Sequence, residues 1–218
     1  MKRTLIAAAL VLTAAAAQAV PMAPGSFVSP LPGTTVALEP QLAGVVVQDV
    51  IRNVAGVFTN TAETFSAQVQ DRVVLAIDGT YDFYYRITVL DKPPVYPMSI
   101  RRDGFAGFAT NVGWRMDGLG TLAPESASRT ADGATVQFDF GFNVPSNADT
   151  YFLFVDTDAT AYAETGMATL NFSPSFDVNG FASFTTFAPV PEPGTWALMG
   201  AGLAGLVAWS RRRKVGGR

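Results

Sequence analysis

Val73-Val74-Leu75-Ala76-Ile77-Asp78-Gly79-Thr80-Tyr81-Asp82-Phe83-Tyr84-Tyr85-Arg86-Ile87-Thr88-Val89-Leu90 decides the fold. Its first five residues are a continuous apolar run. Asp78-Gly79 is a turn pair whose glycine accepts the left-handed backbone that tight hairpins need. The residues after it are aromatic and β-branched, which suits a pleated, half-buried surface. Two such runs around Asp-Gly predict a β-hairpin. Side chains alternate along a strand, so Tyr81 and Phe83 fall on one face and Tyr84 on the other.

The same signals continue on both sides. Upstream, residues 44–51 read as a strand, and Phe65, Ala67 and Val69 alternate with polar neighbours. Downstream, Pro93, Pro94 and Pro97 end the hairpin, and residues 104–116 read as strand and loop pieces with several glycines. Val136, Phe138, Phe140 and Phe142 alternate with Gln137, Asp139 and Gly141, a period-two pattern. Residues 151–155, 168–172 and 180–187 complete the set. Short strands separated by turn residues predict an all-β fold over residues 41–189, an antiparallel β-sandwich, jelly-roll-like or Ig-like, with a closed barrel as the alternative. Before it, Pro21, Pro24, Pro30, Pro32 and Pro40 with Gly25 and Gly33 predict an extended, Pro-rich leader over residues 20–40.

Composition narrows the function. The chain has 218 residues, 15% charged and 49% hydrophobic, with a net charge of −3. Residues 20–190 hold eight Lys/Arg against 17 Asp/Glu, a net of −9, while both ends are basic. An acidic body argues against nucleic acid as a partner. The chain has no cysteine, so no disulfide and no thiolate chemistry. It has no histidine either, which removes the usual general base and the commonest metal ligand.

Both ends read as addresses. Met1, Lys2 and Arg3, an apolar run over residues 5–17, and Ala17-Gln18-Ala19 are the three parts of a secretory signal peptide, residues 1–19, cut after Ala19. At the other end Pro191-Glu192-Pro193 forbids a helix. A single apolar transmembrane helix follows at residues 195–209, with Trp196 and Trp209 near its ends. Arg211, Arg212, Arg213 and Lys214 then form a basic cluster that stops transfer and stays cytoplasmic. A plain anchor is the alternative, though about 15 apolar residues make a helix of roughly 23 Å, short for a permanent span.

The order Pro-Glu-Pro, short apolar helix and Arg-rich tail over residues 190–214 resembles the PEP-CTERM sorting signal of Gram-negative bacteria. That resemblance implies an exported protein with a transient inner-membrane stage, processing by an exosortase, and release to the cell surface or extracellular matrix. It also implies association with exopolysaccharide or biofilm. The body is similar to one group of PEP-CTERM ectodomains at residues 81–85, 104–113 and 152–159, a likeness that implies an exported β domain and no activity.

No catalytic residues are expected. Asp156 and Asp158, two apart at a strand end, offer oxygen ligands of the kind that suit Ca²⁺, without a 12-residue calcium loop around them. The pair is read first as an acidic strand-end turn, with Ca²⁺ as the alternative, and otherwise no cofactor is expected. Tyr81, Phe83, Tyr84, Tyr85, Tyr96 and Trp114 are the material for a sugar-stacking platform, with Trp114 and Tyr84 as the glycan contacts. Three functions follow: a non-enzymatic structural or adhesive protein of the surface polysaccharide layer, a carbohydrate-binding module using exposed aromatics, or, third, a carboxylate-dependent glycoside hydrolase.

Overall fold

The computed structural model describes residues 18–59, 61–91, 97–141, 144–175, 178–192, 194 and 201–203. In chain order the first strands are β1 (Val20–Pro21), β2 (Phe27–Val28), β3 (Gly33–Thr34), β4 (Gly44–Val57), β5 (Thr64–Ala76) and β6 (Tyr81–Asp91). There follow β7 (Met98–Asp103), β8 (Thr110–Arg115), β9 (Ser126–Arg129), β10 (Thr135–Asp139) and β11 (Leu153–Thr157). The last two are β12 (Tyr162–Ser175) and β13 (Val178–Pro189).

The hairpin predicted around Asp78-Gly79 is β5–β6. Leu75 lies opposite Tyr81, Gly79 sits at φ 89°, and the Ala76 amide donates to the Thr80 carbonyl at 2.9 Å. This hairpin belongs to a seven-stranded sheet ordered β1-β8-β11-β6-β5-β4, with β3 beside β8. A six-stranded sheet ordered β13-β12-β7-β10-β9-β2 faces it. Every strand pair is antiparallel except β3 on β8. The architecture is the expected all-β one.

One core lies between the sheets. Phe65, Ala67, Val69 and Val73 of β5 and Phe83, Tyr85, Ile87 and Val89 of β6 point inward at a spacing of two. They meet Ile100, Phe138, Leu170 and Phe172 of the opposite sheet. The Phe65 and Phe172 rings are 4.8 Å apart and those of Tyr85 and Phe138 5.7 Å, both edge-to-face. Each fully buried ring of this kind stabilises by about 1.5–3 kcal/mol.

A charge stands in the same inward row. Asp71 of β5 is 1% exposed, as is Arg102 of β7 across the core. Arg102 Nη2 lies 3.3 Å from Asp71 Oδ1, and Arg52 Nε donates to Asp71 Oδ2 at 3.0 Å. Thr186 donates its hydroxyl to the same oxygen at 2.8 Å, and Arg102 donates to the Thr186 hydroxyl and the Phe187 carbonyl. The guanidinium covers the Tyr85 ring at 4.6 Å. This clamp joins β5 of one sheet to β7 and β13 of the other.

Three expectations need correction. Residues 20–40 are extended, but they are not a leader lying outside the body. β1 and β3 add to one sheet and β2 to the other, and Met22 and Leu31 are in the core. Arg129 rivets this segment in place, donating to the carbonyls of Met22, Phe105, Phe108 and Gly133 and to the Thr110 hydroxyl at 2.7–3.0 Å. Second, β4 runs on to Val57, well past residue 51. Third, β7 and β9 were not expected, since Arg101, Arg102 and Asp103 in one and Ser-Ala-Ser-Arg in the other give no apolar alternation.

Residues 1–17 of the expected signal peptide lie outside the described residues. Of the expected C-terminal helix, residues 201–203 are described and are helical. Among the described residues no helix is long and apolar enough to cross a membrane.

Candidate functional site

Strand β13 ends at Pro189, and the chain passes directly into the Pro191-Glu192 segment. The Val190 amide donates to the Ala161 carbonyl at 3.1 Å, and the Thr160 hydroxyl bonds to the Glu192 carboxylate. Pro191 and Glu192 are exposed. The motif is thus presented at the rim of the sandwich, against the turn between β11 and β12. Pro193 and the basic cluster Arg211, Arg212, Arg213 and Lys214 lie outside the described residues.

Among the described residues the aromatic platform does not form; Tyr96 lies outside them. Tyr84 and Trp114 sit on opposite faces of the seven-stranded sheet. Trp114 stands opposite Leu153, as Tyr85 does from the other side, so it shares the inner face. It packs against the core, its indole N–H donates to the Leu31 carbonyl at 3.1 Å, and its ring lies 4.8 Å from that of Tyr151. A Cβ on Gly33 would come within 2.6 Å of this indole, so only glycine fits there. Tyr84 is 3% exposed. It lies on the outer face in a small second core with Leu42, Val74, Phe152 and Phe154, so the two rings cannot form one platform.

That second core exists because residues 35–43 fold over the outer face. A turn at Thr35–Glu39 leads into a short 3₁₀ helix, Pro40–Leu42, which drops Leu42 onto the sheet. Beside this cap is a cleft of about 490 Å³, lined by Val36, Leu42, Arg72, Tyr84, Arg115 and Phe152 among others. Arg72 and Arg86 stack on the Phe152 ring at 4.5 and 5.6 Å, and Arg115 on Tyr84 at 5.9 Å. Each arginine also meets one aspartate: Asp49, Asp149 and Asp117. The sequence signal for this site was the recurrence of single arginines in aromatic strands, which alternation counts discard as polar.

On the other side of the cap lie the acids. Asp156 accepts from Asn111 Nδ2 at 2.8 Å, and Asp158 accepts from the Ala109 amide at 2.9 Å, so the two have separate partners. Among the described residues no group of three His, Cys, Asp or Glu is arranged to hold a metal. Instead Asp156 faces Asp82 of the next strand. Burial, and then the Asp156 charge, push the Asp82 carboxyl up to about 9, so it is protonated at neutral pH. Burial likewise raises Asp156 and Glu39. A neutral acid beside a carboxylate can serve as a general acid. Asp82 is 1% exposed, however.

Residues 189–213 match the family model described as the PEP-CTERM protein-sorting motif. The match supports a PEP-CTERM domain-containing protein and points to export and sorting by an exosortase. No curated protein and no solved structure matches this chain.

Proposed function

We propose that this chain is an exported, non-enzymatic display protein whose β-sandwich is carried to the cell surface or matrix of a Gram-negative bacterium. There it serves a structural or adhesive role with exopolysaccharide or biofilm material. The observation behind this is the seating of the sorting motif. It begins at the last residue of β13 and leaves the rim exposed, so a membrane-embedded exosortase can reach the Pro-Glu-Pro segment without unfolding the body. A role in the matrix fits a domain whose largest inward resource is packing and whose neutral acid, Asp82, is buried.

The test is terminal-peptide mass spectrometry on the protein from cells that make it, with fractionation. Sorting predicts a first residue of Val20 and no peptide beyond about Gly194 in the extracellular fraction. Persistence of Arg211 to Lys214 in the membrane fraction would leave a plain anchor and remove the exosortase reading. For the matrix role, the processed protein should cosediment with exopolysaccharide from the same cells; free protein in the supernatant at all polymer concentrations would refute it.

A second reading, carbohydrate binding, is favoured by the outer cleft and not by the Trp114 platform. Arg72 and Arg115 line the cleft in a body that is otherwise acidic, beside aromatic rings, and Arg86 lies on the Phe152 ring. Guanidinium groups of this kind bind carboxylates in planar geometry, so the sugar would be an acidic one. Arg115→Ala that leaves cosedimentation unchanged would count against this reading alone.

A further inference from the structure

The acids beneath the 35–43 cap form a cluster of one sign. Glu39 is 2% exposed and its Oε2 has no donor in bonding geometry. Asp82 is buried too, against the Asp156 carboxyl and the Thr157 amide, neither of them a cation. Asp156 stands between these two, and Asp78 and Asp158 add their repulsion from the turns at the strand ends. None of the five ion-pairs with a lysine or arginine among the described residues. Arg115 is committed to Asp117, and Arg129, which feels the Asp158 charge, bonds mainly to backbone carbonyls. Burying like charge without a counter-charge is costly, and folds that do so supply a cation or keep the acids protonated.

One donor does reach into the cluster: the backbone amide of Ala19, bonded to Glu39 Oε1. Ala19 also packs on the second core. The next residue, Val20, opens β1 opposite Val112, and Pro21 stands opposite Asn111. Asn111 in turn holds Asp156, and Asp82 lies one step past the Val155–Phe83 pair. The N-terminal strand therefore sits at the end of the row that contains the acids.

We propose that the α-ammonium created at Val20 by removal of the signal peptide is the cation this cluster is built to hold, with Glu39 as its carboxylate partner. The proposal rests on the reading of residues 1–19 as a signal peptide cut after Ala19. Water adds across the Ala19–Val20 peptide bond; Ala19 departs with a carboxylate, and the Val20 nitrogen takes a proton. One neutral amide donor is lost from Glu39. In its place, one residue along the same strand, appears a positive group with three donors. The precursor buries Glu39 without a cation, and the processed chain does not. Removal of the leader thereby fastens β1 to the body, and the fold is completed only on the far side of the membrane.

The experiment uses protein purified from exporting cells, its first residue established by mass spectrometry. The α-amine is titrated by its rate of acetylation against pH. A free α-amine titrates at about 7.7–8.0; the value expected here is above 9, about a tenfold or greater reduction in reactivity at pH 7.5. Glu39→Gln should return it to the ordinary range. A second measurement guards against a variant that fails to fold: a chain with two extra residues before Val20 should melt lower than the processed protein, and the gap should close once Glu39→Gln is also present. An α-amine of ordinary pKa at Val20, unmoved by Glu39→Gln, would overturn the proposal and leave the signal-peptide reading intact. A first residue other than Val20 or its immediate neighbours would overturn both.

Discussion

Asp71→Ala tests the buried clamp, which has the largest single consequence for stability. The substitution removes the carboxylate that faces Arg102 at 3.3 Å and Arg52 at 3.0 Å. Arg102 is left 1% exposed with no anion, its Nε and Nη1 already without acceptors. Thr186 loses its acceptor, and the Phe187 amide loses a weak bond at 3.4 Å. Breaking one side of such a pair costs about 3–5 kcal/mol, because the remaining charge stays buried. For a domain of this size about 2–4 °C is lost per kcal/mol, so Tm should fall by roughly 6–20 °C. Thermal and urea melts read by circular dichroism give the number. The companion Asp71→Leu with Arg102→Met removes both charges and should recover most of the loss. If Asp71→Ala costs under about 1 kcal/mol, or the double variant is no better than the single, the clamp does not join the sheets as argued.

Other outcomes follow from the same geometry. Arg129→Met withdraws donors from four carbonyls and one hydroxyl and should cost roughly 2–4 kcal/mol, with hydrogen exchange rising first at residues 20–28; uniform exchange across the domain would refute the rivet. Asp82 is raised to about 9 in the fold, against about 3.9 unfolded, so its favourable contribution is whole below about pH 4 and fades as pH climbs towards 9. Asp82→Asn should therefore flatten the decline of Tm between about pH 5 and 9, and an unchanged slope would show that Asp82 is ionised. Adding Ca²⁺ or EDTA should leave Tm unchanged; a rise with Ca²⁺ would reinstate a metal at Asp156 and Asp158, since a ligand of the native state must stabilise it.

Where alternation was clean, the fold was legible. Asp78-Gly79 between two apolar runs placed β5 and β6 and put Tyr84 on the face opposite Phe83. What escaped was structure held by charge. Asp71 occupies an inward position in β5, where a hydrophobic count expects Val or Leu. Its partner Arg102 hides β7 among Arg101 and Asp103. Arg129 does the same for β9. The leader is hidden for a related reason: prolines exclude long strands, but two-residue strands need few amides, and Arg129 supplies a donor to the Met22 carbonyl. The sorting motif was readable because its three parts are consecutive in the chain. The acid cluster was not, since Glu39, Asp82 and Asp156 meet only through sheet order. The lone Asp82 within an aromatic run was the available hint.

The clamp has a mechanical consequence. The chain leaves the sandwich from β13, an edge strand whose last pair is Tyr162 with Pro189. Any pull on the C-terminal segment, from a membrane or from a processing enzyme, would act as a zipper on β12 and break backbone bonds one at a time. Two residues inward the tear meets Phe187 and Thr186, held by Arg102 and Asp71. Peeling must stop there until a buried ion pair is dragged into water. The first few residues can yield to the tug, and the body behind them keeps its shape.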